Sequence, residues 1–409
     1  MTGNVVPPKS TVTLDVVEGN LEVGRRAIVK GEGVTPKVTV SGTVYSEGDC
    51  DFECSLSAEN LDGEDDITIK GDLEIKNRVS IDDGRLHVSG NMTAKRVDVG
   101  RSITVEKNFN AEEVDVGGRL KVEGDTTAKK IDVGGAFESK GMAKVERIDV
   151  GGSVRIGAKA DIENIDVGGA VEVNGGRVGR VDVGGSFASR EPLEFEKIDV
   201  GGAVKLAGDS KGGDIAVGGH CKVEGDLKFG EIDVGGLIYI SGSAEGGDLD
   251  VGGKVQVRGN LKLSGKLYVG GTAEINEALF AEDVDVGGRL YARKAIVNSE
   301  ASVGGAIETS EGINASYISI GRRGKVKGPI RANEVVIGKK ARVEDVTAKI
   351  ITFEREVKAR NVYGKRVRLE SGCHVSGEVQ YTESLDAERG VQFSKTPKQV
   401  EKLDLDLQS

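Results

Sequence analysis

The chain has 409 residues, with 61 Gly, no Trp and 4% aromatic residues, so its core must be built from aliphatic side chains. Charged residues make up 30% of the chain and the formal net charge is −11, which argues against a nucleic-acid partner and against broad electrostatic docking on anionic lipid. Four Cys in a chain of this length form no disulfide framework. The low cysteine count favours a cytoplasmic location.

The first residues, MTGNVVPPKS, lack the charged segment and the apolar run of a secretory signal. No stretch approaches the roughly 20 apolar residues of a spanning helix. We expect residues 1–14 to form an N-terminal tail, residues 15–381 to form one repetitive domain, and residues 382–409 to form a C-terminal tail or cap. The last residues, KLDLDLQS, alternate weakly and are a candidate to lie over the final turn.

Apolar residues separated by one polar residue start soon after the predicted tail. The stretch 56–66 interrupts this pattern and predicts a bulge or a longer corner. The early pairs are Leu21/Val23, Val38/Val40, Cys50/Phe52, Ile67/Ile69, Leu73/Ile75, Val79/Ile81 and Leu86/Val88.

A five-residue motif then dominates the chain. It reads VDVGG at residues 114–118 and IDVGG at residues 131–135, 148–152 and 165–169. The interval between successive motifs is constant almost throughout; it is one residue shorter from Ile165 to Val181 and one residue longer from Leu249 to Leu267. A fixed period of this size is typical of stacked repeats.

Each repeat contains three short stretches in which apolar and polar residues alternate. Alternation with a period of two marks strands with one buried face, and a single repeat can bury that face only against its neighbours. The sequence therefore predicts an all-β fold, a single-stranded triangular parallel β-helix (β-solenoid) with a rung of about 17 residues. In the repeat that starts at Ile148, the apolar pairs are Ile148/Val150, Val154/Ile156 and Ala160/Ile162.

The paired glycines of the motif are expected to turn the corners. Glycine reaches positive φ without the penalty that a Cβ atom brings, which makes it the default residue at such a position.

The four cysteines are expected to be core residues. Cys50 and Cys54 are four residues apart, which on one strand exceeds the reach of a disulfide. Cys221 and Cys373 occupy positions at which other repeats carry aliphatic residues, and free cysteine behaves as a small buried hydrophobic residue.

The three histidines, His87, His220 and His374, lie many repeats apart, so one chain cannot bring them together as a metal or catalytic cluster. We expect them to be exposed and inert. No cofactor is predicted.

The aspartate of the motif recurs in most repeats, and stacking would align these side chains as a ladder of carboxylates. Like charges on neighbouring strands destabilise a sheet. The structural interpretation is that each Asp accepts hydrogen bonds from the N–H groups of the following glycine corner, helped by Arg96, Lys130, Arg147 and Lys197. The alternative is a ladder that recruits cations or a basic partner. The residues are Asp98, Asp115, Asp132, Asp149, Asp166, Asp182, Asp199, Asp233, Asp250 and Asp285.

Corners in repeats this short leave no room for the long loops that wall a catalytic groove. The sequence therefore favours a non-enzymatic protein without catalytic residues. A less favoured alternative is an acyltransferase-like solenoid enzyme that works at a trimer interface.

The stretch VEGNLEVGRRAIVKGEG (residues 17–33) and the stretch GCHVSGEVQYTESLDAERGVQF (residues 372–393) resemble the first and last turns of the bactofilins, a family of polymer-forming cytoskeletal proteins. This chain would be an unusually long member. The resemblance implies a right-handed β-helix that polymerises end to end without nucleotide into non-polar filaments. Such filaments scaffold cell shape or envelope machinery, often at the inner face of the membrane. The resemblance therefore implies self-association, partners among other cytoskeletal or envelope proteins, and a membrane association that the sequence leaves open.

The end turns of a solenoid expose strand edges, which can pair with another copy unless they are capped. The alternative to polymerisation is a monomeric binding solenoid with the aspartate ladder. The residues predicted at the polymerising ends are Val38, Val40 and Phe52 at one end, and Val367, Leu369, Val379 and Tyr381 at the other.

Overall fold

The computed structural model describes residues 4–403, and over them the chain is all β. The strands are parallel and stack as a β-solenoid of about 23 turns with about 17 residues in each turn. This confirms the fold class predicted from the period and the alternation. The chain divides into two compact units, Met1–Gly202 and Ala203–Ser409, and each is described by itself.

Each turn contributes three strand segments, and each segment pairs with the equivalent segment of the next turn. In the first unit, face A contains Glu113–Val116, face B contains Arg119–Val122, and face C contains the first half of Thr126–Val133. Residue 114 pairs with residue 131 and residue 120 with residue 137, so the register is the sequence period itself.

The strands of the first unit lie between residues 4 and 200. They are Asn4–Val6, Thr11–Leu14, Val16–Val17, Leu21–Val23, Ile28–Gly31, Lys37–Val40, Thr43–Ser46, Cys50–Phe52, Ser55–Gly63, Ile67–Ile69, Leu73–Ile81, Arg85–Val88, Met92–Thr93, Arg96–Val99, Ser102–Val105, Phe109–Asn110, Glu113–Val116, Arg119–Val122, Thr126–Val133, Ala136–Ser139, Ala143–Val150, Ser153–Ile156, Ala160–Val167, Ala170–Val173, Gly176–Val183, Ser186–Ser189 and Leu193–Val200.

The strands of the second unit lie between residues 203 and 399. They are Ala203–Ala207, Ser210–Val217, His220–Glu224, Leu227–Lys228, Ile232–Val234, Leu237–Ile240, Ala244–Gly246, Leu249–Val251, Lys254–Val257, Leu261–Leu263, Lys266–Val269, Thr272–Ala281, Asp283–Val286, Arg289–Val297, Glu300–Val303, Ala306–Ile320, Lys325–Lys327, Ile330–Ile337, Asp345–Phe353, Lys358–Ala359, Asn361–Leu369, His374–Val375, Val379–Ala387, Gln392–Phe393 and Lys398–Gln399.

The core of each unit is a stack of inward-pointing aliphatic side chains. In the turn that starts at Ile148, all six predicted apolar residues are buried. Phenylalanine takes some of the inward positions, as Phe109, Phe137 and Phe187 do in the first unit. The period-two alternation therefore identified the buried face of the strands correctly.

The glycine corners are needed for a different reason from the one predicted. The described glycines with positive φ do not include those of the motif pairs. A Cβ atom on Gly134 would lie 2.3 Å from the carbonyl oxygen of Gly117, and one on Gly135 would lie 2.4 Å from that of Gly118. Glycine is required because consecutive corners stack backbone on backbone, and not because the chain turns through the left-handed region.

The paired strands extend past both predicted bounds of the solenoid. Asn4–Val6 pairs with Leu21–Val23, and Thr11–Leu14 pairs with Ile28–Gly31, inside the predicted N-terminal tail. At the other end, Lys398–Gln399 pairs with Val379–Ala387. The segment KLDLDLQS falls largely outside the described residues.

The interruption predicted at residues 56–66 is a bulge. Ser55–Gly63 is one continuous strand, and its register against Leu73–Ile81 shifts between Ile75 and Arg78. The longer corner lies earlier, where an antiparallel bridge between Glu32 and Lys37 closes a short loop with Val34 fully exposed.

Candidate functional site

Seven aspartates of the motif form a continuous column on the outside of face A in the first unit. Asp98 pairs in register with Asp115, Asp115 with Asp132, and so on to Asp199. In the second unit the column is shorter, because Tyr268 stands between Asp250 and Asp285. The structure therefore brings the predicted carboxylates together as a ladder.

These aspartates do not hold the glycine corners as predicted. The N–H of Gly134 donates to the carbonyl oxygen of Val116 at 3.0 Å, and the N–H of Gly135 donates to that of Gly118 at 2.9 Å. Both N–H groups of this corner are thus satisfied by the backbone one turn earlier, and the carboxylates remain on the surface.

A second column, two residues before the aspartates, supplies compensating charge to some of them. Arg78 Nη2 lies 2.9 Å from Asp98 Oδ2, and Lys130 Nζ lies 3.4 Å from Asp132 Oδ2. The column contains Arg78, Arg96, Glu113, Lys130, Arg147, Asn164, Arg180 and Lys197.

At Asp115 this compensation is reversed, because a carboxylate takes the place of a cation. Its neighbour in the second column is Glu113, and Arg96, which was expected to help the aspartates, binds Glu113 at 2.6 Å instead. Partial burial and the charges of Asp132 and Asp98 raise the pKa of Asp115. Burial and Asp233 likewise raise the pKa of Asp250.

Metal binding finds no support in the arrangement of these side chains. Within residues 4–403, no group of three or more His, Cys, Asp or Glu is placed to hold a metal ion. The carboxylates follow one another along a line at the spacing of neighbouring strands, about 4.8 Å, instead of converging on one point.

The cysteine prediction is confirmed, because all four thiols are free and buried. Burial raises the pKa of Cys50 and Cys54 to about 11 and that of Cys221 to about 12, and it also raises the pKa of Cys373. Thiols in this state are poor nucleophiles and poor metal ligands.

The three histidines lie in separate turns. His87 Nε2 is 3.2 Å from Glu106 Oε1, His220 is exposed, and His374 Nε2 is 3.3 Å from Ser394 Oγ. Their contacts are therefore local surface contacts.

The residues predicted at the polymerising ends are not at the ends of the described solenoid. Val38, Val40 and Phe52 are buried beneath the first turn. At the other end, Val367, Leu369 and Val379 are buried beneath the last turn, and Tyr381 is half-buried there. The prediction was wrong because it placed the ends where the strong alternation stops, whereas pairing continues through weakly patterned residues.

The first described turn is made of three strands that are paired on one side only within residues 4–403: Asn4–Val6, Thr11–Leu14 and Val16–Val17. Val16 is 66% exposed, and Val12 and Leu14 are half-buried. This end therefore presents backbone donors and acceptors together with apolar side chains.

Sequence reasoning missed a ladder of side-chain oxygens at the corner between faces B and C. Asn108 Oδ1 accepts from the N–H of Asp125 at 2.9 Å, and Asp125 Oδ1 accepts from the N–H of Met142 at 2.8 Å. Asn91 and Asp72 do the same one and two turns earlier. The signal was the Gly-Asp and Gly-Asn dipeptides that recur between faces B and C.

Within residues 4–403 there is no helix long and apolar enough to cross a bilayer. Comparisons of the chain with protein-family models, with curated proteins and with solved structures find no match.

Proposed function

We propose that this chain is a non-enzymatic structural protein that assembles end to end into nucleotide-independent filaments and serves as a cytoskeletal or cell-shape scaffold in the cytoplasm. One observation carries the proposal: the first described turn ends in three strands whose outer edges are unpaired within residues 4–403. An unpaired strand edge is a template for a strand of another chain. The resemblance of residues 17–33 and 372–393 to the bactofilins points to the same role.

The edge of Thr11–Leu14 can be blocked without changing the core. The carbonyl of Ser10 accepts from Ile28 N–H at 2.8 Å, so by the alternation of a parallel ladder the N–H of Thr13 points away from the solenoid. Thr13→Pro removes that donor and leaves the pairing with Lys30 in place. Thr13→Val is the matched control, since it keeps the N–H.

The test is negative-stain electron microscopy and sedimentation of the wild type and both variants, with millimolar calcium or with chelator. We expect wild-type and Thr13→Val filaments in both conditions and mainly single particles for Thr13→Pro. Single particles of the wild type in every condition would overturn the proposal. If Thr13→Pro forms filaments as readily as the wild type, the edge of Thr11–Leu14 is not the contact that joins the subunits.

A second candidate, a capped monomeric binding solenoid, is favoured by the polar residues in the end turns. Asn4 stands in register with the buried Leu21, and Gln399 stands in register with Tyr381. Terminal turns with polar inner positions are typical of caps. Single particles that associate only with calcium would support this candidate and make the aspartate ladder its binding surface.

A further inference from the structure

One column of outward-facing residues in the second unit changes from charged to apolar side chains. On face C, Lys228, Glu245 and Lys262 stack in register and form ion pairs, with Lys262 Nζ 3.2 Å from Glu245 Oε1. The next two positions of the same column are Phe280 and Ile296. Phe280 is exposed and Ile296 is half-buried, and because both lie on a solvent-facing column they add no packing to the core. Departures of this kind from a local pattern concentrate at functional sites.

A cavity of about 340 Å³ lies beside Ile296 in the second unit. Ile296, Val297 and Ala315 provide its apolar surface. Its polar lining comes from Asn298, Asn314, Ser316, Arg331 and Asn333, with no carboxylate among the lining residues.

Several of these polar groups have hydrogen-bonding atoms that are without a partner in the described part of the chain. The amides of Asn314 and Asn333 and the guanidinium of Arg331 make no hydrogen bond or ion pair within the described part of the chain. Asn298 Nδ2 donates to Glu282 Oε2 at 2.9 Å, which leaves its amide oxygen as an acceptor. Ser316 Oγ donates to the carbonyl oxygen of Asn298 at 2.7 Å, which fixes the corner that carries them.

Asn314 stacks directly on Ile296, and Arg331 stacks on Asn314, so the polar groups follow one another at the spacing of neighbouring strands, about 4.8 Å. A ligand that uses all of them must be extended along the stack. An amide offers a donor and an acceptor side by side, which suits neighbouring hydroxyl groups. Phe280 adds an aromatic surface one strand away from Ile296.

We propose that this cavity binds an uncharged carbohydrate chain, with Asn314 and Asn333 hydrogen-bonding its hydroxyl groups and Phe280 and Ile296 packing against its apolar ring face. The site does not include the strand edges of the first described turn. A failure of sugar binding can therefore be distinguished from a failure of end-to-end assembly.

The test is isothermal titration calorimetry of the full chain with three neutral probes: cellohexaose, chitohexaose and maltohexaose. We expect at least one probe to bind, and Asn314→Ala and Phe280→Ala each to weaken that binding by about tenfold, the effect of one lost hydrogen bond or ring contact. Lys262→Ala, in the same column two turns away from Ile296, is the matched control and should bind like the wild type.

Circular dichroism and filament assays of each variant show whether the fold and the assembly are retained. We expect both to be retained, because the substituted residues lie on the surface. Failure of all three probes to bind would overturn the proposal, and so would wild-type affinity in Asn314→Ala. Binding of inorganic phosphate that Arg331→Ala abolishes, without binding of any sugar, would identify an anion site and would also overturn it.

Discussion

At the residue scale, the spacing between turns is set where backbone meets backbone. The corner glycines of the first unit leave so little space that a Cβ atom on Gly134 would come within 2.3 Å of the carbonyl oxygen of Gly117. Neither atom is the flexible end of a side chain, so one of the two turns would have to move. In the corner that precedes Gly117 and Gly118, Arg101 takes the second position and donates its N–H to the carbonyl oxygen of Gly84 at 3.2 Å, so a Cβ is accommodated there.

Replacing Gly134 with alanine should therefore destabilise the first unit by about 1–3 kcal/mol, the usual range for overpacking. Urea unfolding followed by circular dichroism measures the change. Arg101→Ala is the control at the second position of an earlier corner, where a Cβ is already present, and should stay within about 0.5 kcal/mol of the wild type. An unchanged unfolding midpoint for Gly134→Ala would show that stacked corners can separate at little cost.

The aspartate column shows how neighbouring residues decide the sign of a charge effect. Asp98 has Arg78 at 2.9 Å, whereas Asp115 faces Glu113 and two further aspartates. A carboxyl group whose pKa is raised in the folded state binds protons more readily when folded than when unfolded. Stability then rises as the pH falls through the raised pKa, and the penalty is complete above it.

Asp115→Asn should accordingly stabilise the protein at pH 7 by up to about 0.5 kcal/mol, a small effect because the group is largely solvated. The gain in stability should disappear at a pH below the pKa of this carboxyl in the unfolded state, because the wild-type carboxyl is then protonated in both states. Thermal unfolding between pH 3 and pH 7 measures it, with about 0.15 M salt held constant. Asp98→Asn, which loses an ion pair, should give no gain at pH 7; equal gains in both variants would contradict the argument.

At the scale of the strand and its corners, side-chain oxygens hold one corner of the first unit together from turn to turn. Asn91, Asn108 and Asp125 each accept from the backbone N–H of the equivalent residue in the next turn. A glycine precedes Asn91 and Asp125 and leaves space for the acceptor of the turn before: a Cβ on Gly124 would lie 2.6 Å from Asn108 Oδ1. Asn108 itself follows Lys107. The Gly-Asx dipeptide is therefore one unit of structure.

Asn108→Ala leaves the N–H of Asp125 without its acceptor and should destabilise the first unit by about 1 kcal/mol. Hydrogen exchange gives the local readout, because the Asp125 amide should lose protection while amides several turns away keep theirs. Asn108→Asp retains the acceptor oxygen and should leave that protection nearly unchanged. Uniform loss of protection in Asn108→Ala would point to a global effect instead.

The sequence was sufficient for the parts of the fold that depend on period and alternation. Val154 and Ile156 could be assigned to the core from their own turn alone. The reason for Gly134 could not, because it depends on the position of a carbonyl one turn earlier. Asn4 was missed for another reason: at an end turn, burial no longer selects apolar residues, so the alternation fades before the pairing does.

The candidate carbohydrate site was beyond sequence reasoning as well. Phe280 and Ile296 stand out only once the register shows that they continue a column of charged residues. Asn298 and Asn333 come together because the corner that follows face C stacks in the second unit. Side chains with weak individual signals thus become a site through the register.

At the scale of the whole molecule, the turn is the unit in which the chain can lengthen or shorten. The shortened step from Ile165 to Val181 is absorbed at a corner, where Gly175 and Gly176 have φ of +78° and +108°. The strands on either side keep their register, since Ile162 still pairs with Val178. The change in length is confined here to the corner.

Deleting residues 136–152, which make up one full turn, should therefore preserve the fold of the first unit. Gly135 would be followed by Ser153, which already occupies the position equivalent to Ala136 one turn later. Because each turn contacts only its neighbours, the loss is that of one repeat and its interface. Circular dichroism and hydrogen exchange should show a folded protein with nearly wild-type protection on both sides of the junction.

Deleting Lys121 alone is the contrasting variant: it shifts Val122 from the inner to the outer side of its strand and should abolish protection in that turn. A folded Lys121 deletion together with an unfolded turn deletion would show that the turns are not interchangeable and that long-range order holds the stack together.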